Sequence, residues 1–389
     1  MDFQLTEQQR DLQEAARKFA RAELPDLARE MEEKDFPVPP EMMRRYGEQG
    51  FLGVNLPEKY GGLGLGHLEA LLVLEQFAMI GNAVAFPVFE ALVGPVRAIA
   101  LFGTDSLRQR IIPKVTRGEA TVAVSMSEPD AGTALTDLST RAREEGGQFV
   151  LDGTKRWTSG AGHAQYYVVY CRMSDAPGAK GIGALVVNKD MEGVSFGKRE
   201  KLMGFRGIDT RDITFDGVEV PKDNLVVEAG GFGRLMAAFG LERCGNATQS
   251  LGLAAAALEQ ATEYVQQREA FGKPIVDFQA VQLRLAEMAM QVEAARLLIY
   301  RAAANAAQQD NGLPSVFESS VAKCYANEIV RSVTANGMQV MGGYGYHSEY
   351  GMEQRVRDGF AWGIAGGTTD VQKTNIAAAM IGRRFDQRR

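Results

Sequence analysis

The stretch Phe232-Gly233-Arg234-Leu235-Met236-Ala237-Ala238-Phe239-Gly240-Leu241-Glu242-Arg243 decides how the rest of the chain is read. It opens a helical pattern that runs from Gly230 to Phe271 and breaks at Arg268-Glu269-Ala270-Phe271-Gly272. Phe232, Leu235 and Phe239 recur at helical spacing and mark a stripe that faces a core. Glu242 takes the next place on that stripe. A carboxylate continuing an apolar face is an anomaly with two readings. It is either a structural group, paired with a neighbour such as Arg243 or set at the stripe's edge, or a group kept for chemistry.

Outward from this helix the pattern changes twice. After Gly230 the chain stays helical, over roughly 231–267, 277–310, 315–341, 350–359 and 369–383, and the first three segments suffice for a bundle. Before it, from about 121 to 226, short alternating runs such as Tyr166–Cys171 and Ala184–Val187 are split by Gly, Asp and Asn. They predict a β domain, barrel or sandwich. Residues 1–120 read as helices again. Thr6-x-x-Gln9 is a capping box. Pro37, Pro39 and Pro40 are expected to break the first helix, and Val84–Phe102 is expected to form one apolar helix. The fold class is α+β, mostly α: an N-terminal helical domain over 1–120, a central β domain over 121–229 and a C-terminal helical bundle over 230–389.

The 389 residues carry a net charge of −6, which gives no electrostatic case for nucleic acid. The apolar runs are interrupted by Asn82, Pro87 and Glu90, so no membrane span is expected. The start, Met1-Asp2-Phe3-Gln4, lacks a basic segment and an apolar signal core, and a cytoplasmic location is expected. The cysteines (Cys171, Cys244, Cys324) and histidines (His67, His163, His347) are scattered and form no metal-ligand pattern.

Residue-level signals follow the helix–β–helix order. Ser127-Glu128-Pro129-Asp130-Ala131-Gly132-Thr133 leaves one strand, and Trp157-Thr158-Ser159-Gly160 leaves another. Arg268-Glu269-Ala270-Phe271-Gly272-Lys273-Pro274-Ile275 precedes Phe278-Gln279. Gln339-Val340-Met341-Gly342-Gly343 follows a long helix, and Arg357-Asp358 leads to Gly366-Gly367-Thr368-Thr369-Asp370. In these motifs, and in their order over essentially the whole chain, the sequence resembles the acyl-CoA dehydrogenase family. The resemblance implies a non-covalent FAD between β domain and bundle, a homotetramer, an acyl-CoA substrate dehydrogenated at Cα–Cβ, and electrons passed to an electron-transferring flavoprotein. It places Met126, Ser127, Gly132, Thr133, Trp157 and Ser159 around the cofactor, with Thr368 and Asp370 at the final motif. It assigns Arg268, Phe271, Gln279, Gln339 and Gly343 to the FAD of a neighbouring subunit. A flat Trp can stack on a flavin, a hydroxyl can donate to it, and a guanidinium can pair with pyrophosphate. Thr369-x-x-Gln372 also reads as a capping box.

One position departs from the family pattern. Many members carry the proton-abstracting Glu directly before the Gly-Thr of the final motif, where this chain has Gly366. Others, isovaleryl-CoA dehydrogenase among them, place it in a Glu-Arg pair on the long bundle helix, where Glu242-Arg243 stand. The resemblance therefore assigns the base to Glu242. It gives the thioester carbonyl to the Gly366 N–H, and puts Arg243, Ala365 and Gly366 beside the substrate. Branched, cyclic or aryl acyl groups are expected. Asn82 stands roughly where the glutaryl-CoA branch has an Arg, which counts against glutaryl-CoA. Arg97 has two readings, contact with an acidic acyl tail or a salt bridge with Glu90, and the salt bridge is expected. The competing readings are an enoyl-CoA reductase of the same fold, a non-catalytic flavoprotein relative, and, disfavoured by the short chain, an acyl-CoA oxidase.

Overall fold

The structure, a computed structural model, describes residues 4–383 and 385. Helices α1 (Glu7–Glu23), α2 (Pro25–Lys34), α3 (Pro40–Glu48), α4 (His67–Ile80), α5 (Asn82–Leu92), α6 (Pro95–Phe102) and α7 (Asp105–Thr116) come first. The capping box forms as the sequence predicts: Gln9 N–H donates to Thr6 Oγ1 and Thr6 N–H donates to Gln9 Oε1. Two breaks fall elsewhere than expected. The first helix ends before Pro25, which starts α2 at its first turn, where a missing N–H costs nothing. The span Val84–Phe102 is two helices, because Pro95 cannot continue the ladder and excludes helical geometry at Gly94 (φ −88°, ψ −143°). The apolar character of 82–102 comes from burial: Val84, Val88, Leu92, Val96 and Ile99 lie inside the helical core.

The central strands are β1 (Val122–Ser125), β2 (Arg141–Glu145), β3 (Gln148–Ser159), β4 (Tyr166–Arg172), β5 (Ile182–Asn188), β6 (Val194–Phe196), β7 (Thr210–Pro221) and β8 (Leu225–Val227). They form one eight-stranded sheet in the order β6-β7-β3-β2-β4-β5-β8, with β1 added parallel to β4. Alternation along β4 serves two cores. Tyr166, Val168 and Tyr170 join the large core shared with the helices, and Tyr167, Val169 and Cys171 join a second core belonging to the sheet. Tyr170 thus points at the helices because of its register.

The long helix α8 (Phe232–Gln267) follows, then the hairpin β9 (Glu269–Ala270) and β10 (Lys273–Pro274), and helices α9 (Gln279–Ala304), α10 (Val316–Met341), α11 (Gly343–Tyr346), α12 (Met352–Asp358) and α13 (Thr369–Ile381). Glu75 of α4 ties the N-terminal helices to α9: Arg296 donates to its Oε1 at 2.8 Å and Tyr300 Oη to its Oε2 at 2.7 Å. Asp358 joins the bundle to the β domain by accepting from Phe205 N–H at 2.8 Å. Helix α8 packs on α10, α4 and α5, and at its first turn Phe232 meets Tyr170 of β4 with ring centroids 6.5 Å apart.

Candidate active site

Glu242 stays partly open to solvent while Leu241 and every residue from Arg243 to Ser250 is buried. It is therefore less tightly enclosed than its neighbours along the helix, although the carboxyl is still largely shielded from water. No hydrogen bond or ion pair reaches its carboxyl from the described residues. The pairing with Arg243, the structural alternative for this residue, does not form. The Arg243 guanidinium lies 5.8 Å from the Phe239 ring, and its Nε and Nη1 are buried without partners. Burial pushes the Glu242 carboxyl up to about 8, against the opposing pull of Lys323 and Arg243.

Lys323, on α10, reaches the same place. Its Nζ is fully buried and donates to the carbonyls of Ala365 at 2.6 Å and Gly366 at 2.7 Å. Asn246 Nδ2 also donates to Ala365 O, and Asn327 Nδ2 donates to Trp362 O at 2.7 Å and to Asn246 Oδ1 at 2.9 Å. The loop 362–366 is thus held by its carbonyls. Gly366 has φ +63°, and a Cβ there would lie 3.2 Å from Lys323 Nζ, so the position is both a left-handed turn and a crowded one. Its N–H donates to no acceptor among the described residues. An unpaired carboxyl and a free amide on a fixed loop are the parts that proton removal next to a carbonyl requires.

The final motif differs in detail from the sequence reading. Thr368, not Thr369, caps α13, accepting from Val371 N–H at 3.3 Å. Gln372 turns inward instead, donating to Gly367 O and accepting from Ser320 Oγ. Asp370 stays exposed on the first turn.

On the sheet, a register shift between Lys155 and Thr158 marks a bulge, and Trp157 within it takes φ +60°. A Trp in left-handed geometry is strained, and its ring is 52% exposed with Arg156 stacked at 4.1 Å. The bulge presents a flat aromatic face instead of burying it. Ser159 follows with its hydroxyl free of hydrogen bonds to the described residues, while Thr158 is buried against Ser125 Oγ at 3.2 Å. The turn carrying Met126, Ser127, Gly132 and Thr133 is braced by Glu128, which the sequence reading passed over. Glu128 accepts from Lys155 Nζ at 2.8 Å, Thr140 N–H at 2.9 Å and Ser139 N–H at 2.6 Å. Lys155 also donates to Met126 O at 3.0 Å. Burial opposes the Glu128 charge, but Lys155 and these donors outweigh it and hold the carboxyl down at about 2.

Lys155→Met would strand that charge. We expect a loss of about 3–5 kcal/mol in urea unfolding at neutral pH. In the parent the Glu128 contribution is present above the ordinary carboxylate value and fades as pH falls towards about 2, so the gap between the two proteins should narrow in acid. A loss below about 1 kcal/mol, the scale of an exposed pair, would show that the brace is dispensable.

The remaining predicted residues gather on the bundle surface. Arg268, Gly343, Tyr264, Tyr344, His347 and Tyr350 line one open groove, with the Arg268 guanidinium 5.8 Å from the Tyr344 ring. No β-domain residue lines it. Gln339 is exposed on the last turn of α10, and Gln279 is exposed at the start of α9. Phe271 and Gly272 turn the β9–β10 hairpin at φ +53° and +78°, leaving the Phe271 ring 95% exposed. Arg97 does not meet Glu90. It donates to Asn55 O at 2.8 Å, and burial pulls it down to about 10. Asn82 is buried with neither side-chain atom hydrogen-bonded.

The donor set fits a large planar cofactor carrying phosphates: an exposed strained Trp, a free hydroxyl beside it, and an open glycine turn, since nothing lies within 4 Å of a Cβ built at Gly132. The chain belongs to the acyl-CoA dehydrogenase family: the N-terminal, middle and C-terminal domain families match residues 6–119, 123–218 and 229–381. It is an FAD-binding oxidoreductase of that family. It is 35% identical to the 3-sulfinopropanoyl-CoA desulfinase of Paraburkholderia xenovorans, over 100% of this chain and 99% of that one. It is 34% identical to the caffeyl-CoA reductase–Etf complex subunit CarC of Acetobacterium woodii, over 97% and 99% of the two chains. The butyryl-CoA dehydrogenase structure from Megasphaera elsdenii superposes with a TM-score of 0.93 at 32% identity, covering 98% of this chain and 100% of that one.

Proposed function

We propose that the chain removes the α-proton of an acyl-CoA thioester with Glu242 and forms the 2,3-enoyl-CoA. The observation that carries this reading is the unpaired Glu242 carboxyl, raised to about 8 and felt by the Lys323 cation that also holds the Gly366 carbonyl. The free Gly366 N–H would receive the thioester oxygen and acidify the α-proton. Lys323 and Asn246 keep that amide aimed by holding the loop's carbonyls. Trp157, Ser159 and the 126–133 turn would hold FAD, which when bound supplies the two-electron acceptor. Arg243 would border the substrate. The acyl group is branched, cyclic or aryl, and a partner electron-transferring flavoprotein takes the electrons in turn. The relative named as an Etf-complex subunit supports that partner.

The same relative is named a reductase, which favours a second reading with the reaction run towards the saturated acyl-CoA. Anaerobic titration of the yellow protein with saturated acyl-CoAs tests the first reading, which expects bleaching by at least one branched, cyclic or aryl thioester. No bleaching by any of them, with re-oxidation of reduced protein by an enoyl-CoA, would select the reverse direction.

A cytoplasmic homotetramer is part of the proposal. Leu283, Met290 and Leu297 are exposed at seven-residue intervals on α9, an apolar stripe with nothing covering it in the single chain. Phe271 and the Arg268 groove lie at the same end of the bundle sequence. Leu283→Asp with Met290→Asp should convert the oligomer to monomer in sedimentation and lower FAD retention. A monomeric double variant with full FAD occupancy would remove Arg268, Phe271, Gln279, Gln339 and Gly343 from any neighbour's cofactor site.

A further inference from the structure

The connection between β6 and β7, residues 197–209, touches both halves of the proposed site. At one end it is bonded to the strand that carries Trp157 and Ser159. Gly160 N–H donates to Asp209 O at 2.6 Å, and Ser159 pairs with Thr210 and Thr158 with Arg211 across the ladder. At its tip the Phe205 ring lies 5.0 Å from the ring of Trp362, the residue that opens the 362–366 loop. Trp362 is 4% exposed and its Nε1 has no hydrogen-bond partner among the described residues, so packing alone places its side chain. Phe86 and Phe89 press on it from α5, at 6.5 and 5.2 Å, and Phe205 is the ring that comes from the β domain.

Phe205 reaches Trp362 under strain. It stands at φ +59°, a geometry that costs a bulky residue free energy and a glycine none. Four non-glycines among the described residues have positive φ, and three of them belong to this connection or to what it is tied to. Phe205 is one. Trp157 sits in the strand bonded to Asp209, and Asp35 accepts from Gly207 N–H at 2.8 Å and from Arg199 at 2.7 Å. Such strain persists only where the surroundings over-determine it. Here Phe205 N–H donates to the buried Asp358 Oδ1 at 2.8 Å, and Gly204 allows the close approach, since a Cβ there would overlap that oxygen.

We propose that Phe205 is a positioning residue for the reaction: its ring fixes the spacing between the bulge that faces the cofactor and the loop that carries the Gly366 amide. The inference rests on the reading of that amide as the group that receives the thioester oxygen. The two surfaces belong to different domains, and the groups they hold must meet at reacting distance. Phe86 and Phe89 cannot set that spacing, because they place Trp362 against the N-terminal helices. Phe205 sets it, because its own segment is hydrogen-bonded to the end of β3. From Trp362 the loop runs to the Ala365 and Gly366 carbonyls held by Lys323, so the position of the ring is passed to the amide through a short, anchored stretch.

The test reads the amide directly, in holoenzyme reduced with dithionite, where saturated thioesters bind without turnover. Difference infrared spectra of isobutyryl-CoA and 3-phenylpropanoyl-CoA, with and without a carbon-13 label at the thioester carbonyl, give the carbonyl stretch of the bound ligand. A carbonyl that accepts from the Gly366 N–H absorbs at lower frequency than the free thioester, and the parent should show that downshift. Phe205→Leu keeps apolar bulk and removes the ring. It should lose most of the downshift, and flavin bleaching in the oxidised enzyme should slow about 10-fold, less than the loss of about 10²–10³-fold when such a donor is removed outright. FAD content and thioester affinity should stay within a few-fold of the parent. Asp358→Asn, which keeps an acceptor for the Phe205 N–H, should retain the downshift. If Phe205→Leu does not fold, Trp362→Phe reads the same contact from the other side, with the same expectation. An intact downshift in Phe205→Leu or Trp362→Phe, with only a lowered melting point, would make the contact ordinary packing and overturn the proposal. No downshift in the parent would instead remove the Gly366 reading, and the positioning role would fall with it.

Discussion

Glu242→Gln should slow substrate-driven flavin bleaching by about 10²–10⁴-fold, the usual worth of a positioned acid–base group. Fold, FAD content and thioester binding should be unchanged, because the carboxyl anchors nothing in the chain. The pH profile supplies a second signature. A base must be deprotonated to act, so the parent's reduction rate should climb with pH through about 8. Stability supplies a third, of the opposite sign to a structural role. The folded carboxyl titrates above its ordinary 4.5, so its burial weakens the fold increasingly as pH rises from 4.5 towards 8. At pH 9 Glu242→Gln should therefore melt no lower than the parent. Stopped-flow reduction and melting curves on the one variant read all three. A near-normal rate with a lowered melting point would make Glu242 a structural residue and move the base elsewhere.

Lys323→Met should give the next largest effect, through position rather than contact with the reacting atoms. Its Nζ holds the Ala365 and Gly366 carbonyls. Removing it leaves the Gly366 carbonyl without a donor, at a cost of about 1–3 kcal/mol, and leaves the Ala365 carbonyl with Asn246 Nδ2 alone. The loop carrying the Gly366 amide should loosen, with a fall in kcat larger than the change in KM. Loss of the cation also removes one of the influences that lower the Glu242 value, so the rate profile should move alkaline of about 8. A purely structural lysine would reduce stability without moving that profile. Burial holds Lys323 itself near 7, with Glu242 working to raise it, so the side chain sits close to the boundary between its charged and neutral forms.

Much of this was legible because it depends on local rules. Helical periodicity in 231–267, alternation in 166–171, and the Thr6-x-x-Gln9 box each follow from one or two turns of chain, and each reads as predicted. Breaks at Pro25 and Gly94-Pro95 were missed although prolines mark both, because the apolar pattern continues across them. The brace Glu128–Lys155 was missed for a different reason. Its members lie 27 residues apart, and nothing local distinguishes them from solvated charges. Arg97 illustrates the limit. Spacing on one apparent helix suggested Glu90 as its partner, but the helix is broken between them and Arg97 reaches Asn55 instead.

The order of helical, β and helical domains follows from local pattern alone, as do the carboxylate of Glu242 on an apolar stripe and the glycine at 366. What surrounds that carboxylate is set by packing between distant segments. Lys323 and Gly366 come from separate elements, so their nearness to each other and to Glu242 depends on how α10 and the 362–366 loop pack around α8. Charge and burial act over a few ångströms in space, whatever the distance along the chain. A buried lysine clamped on two carbonyls and a tryptophan turned outward by a bulge are consequences of that packing.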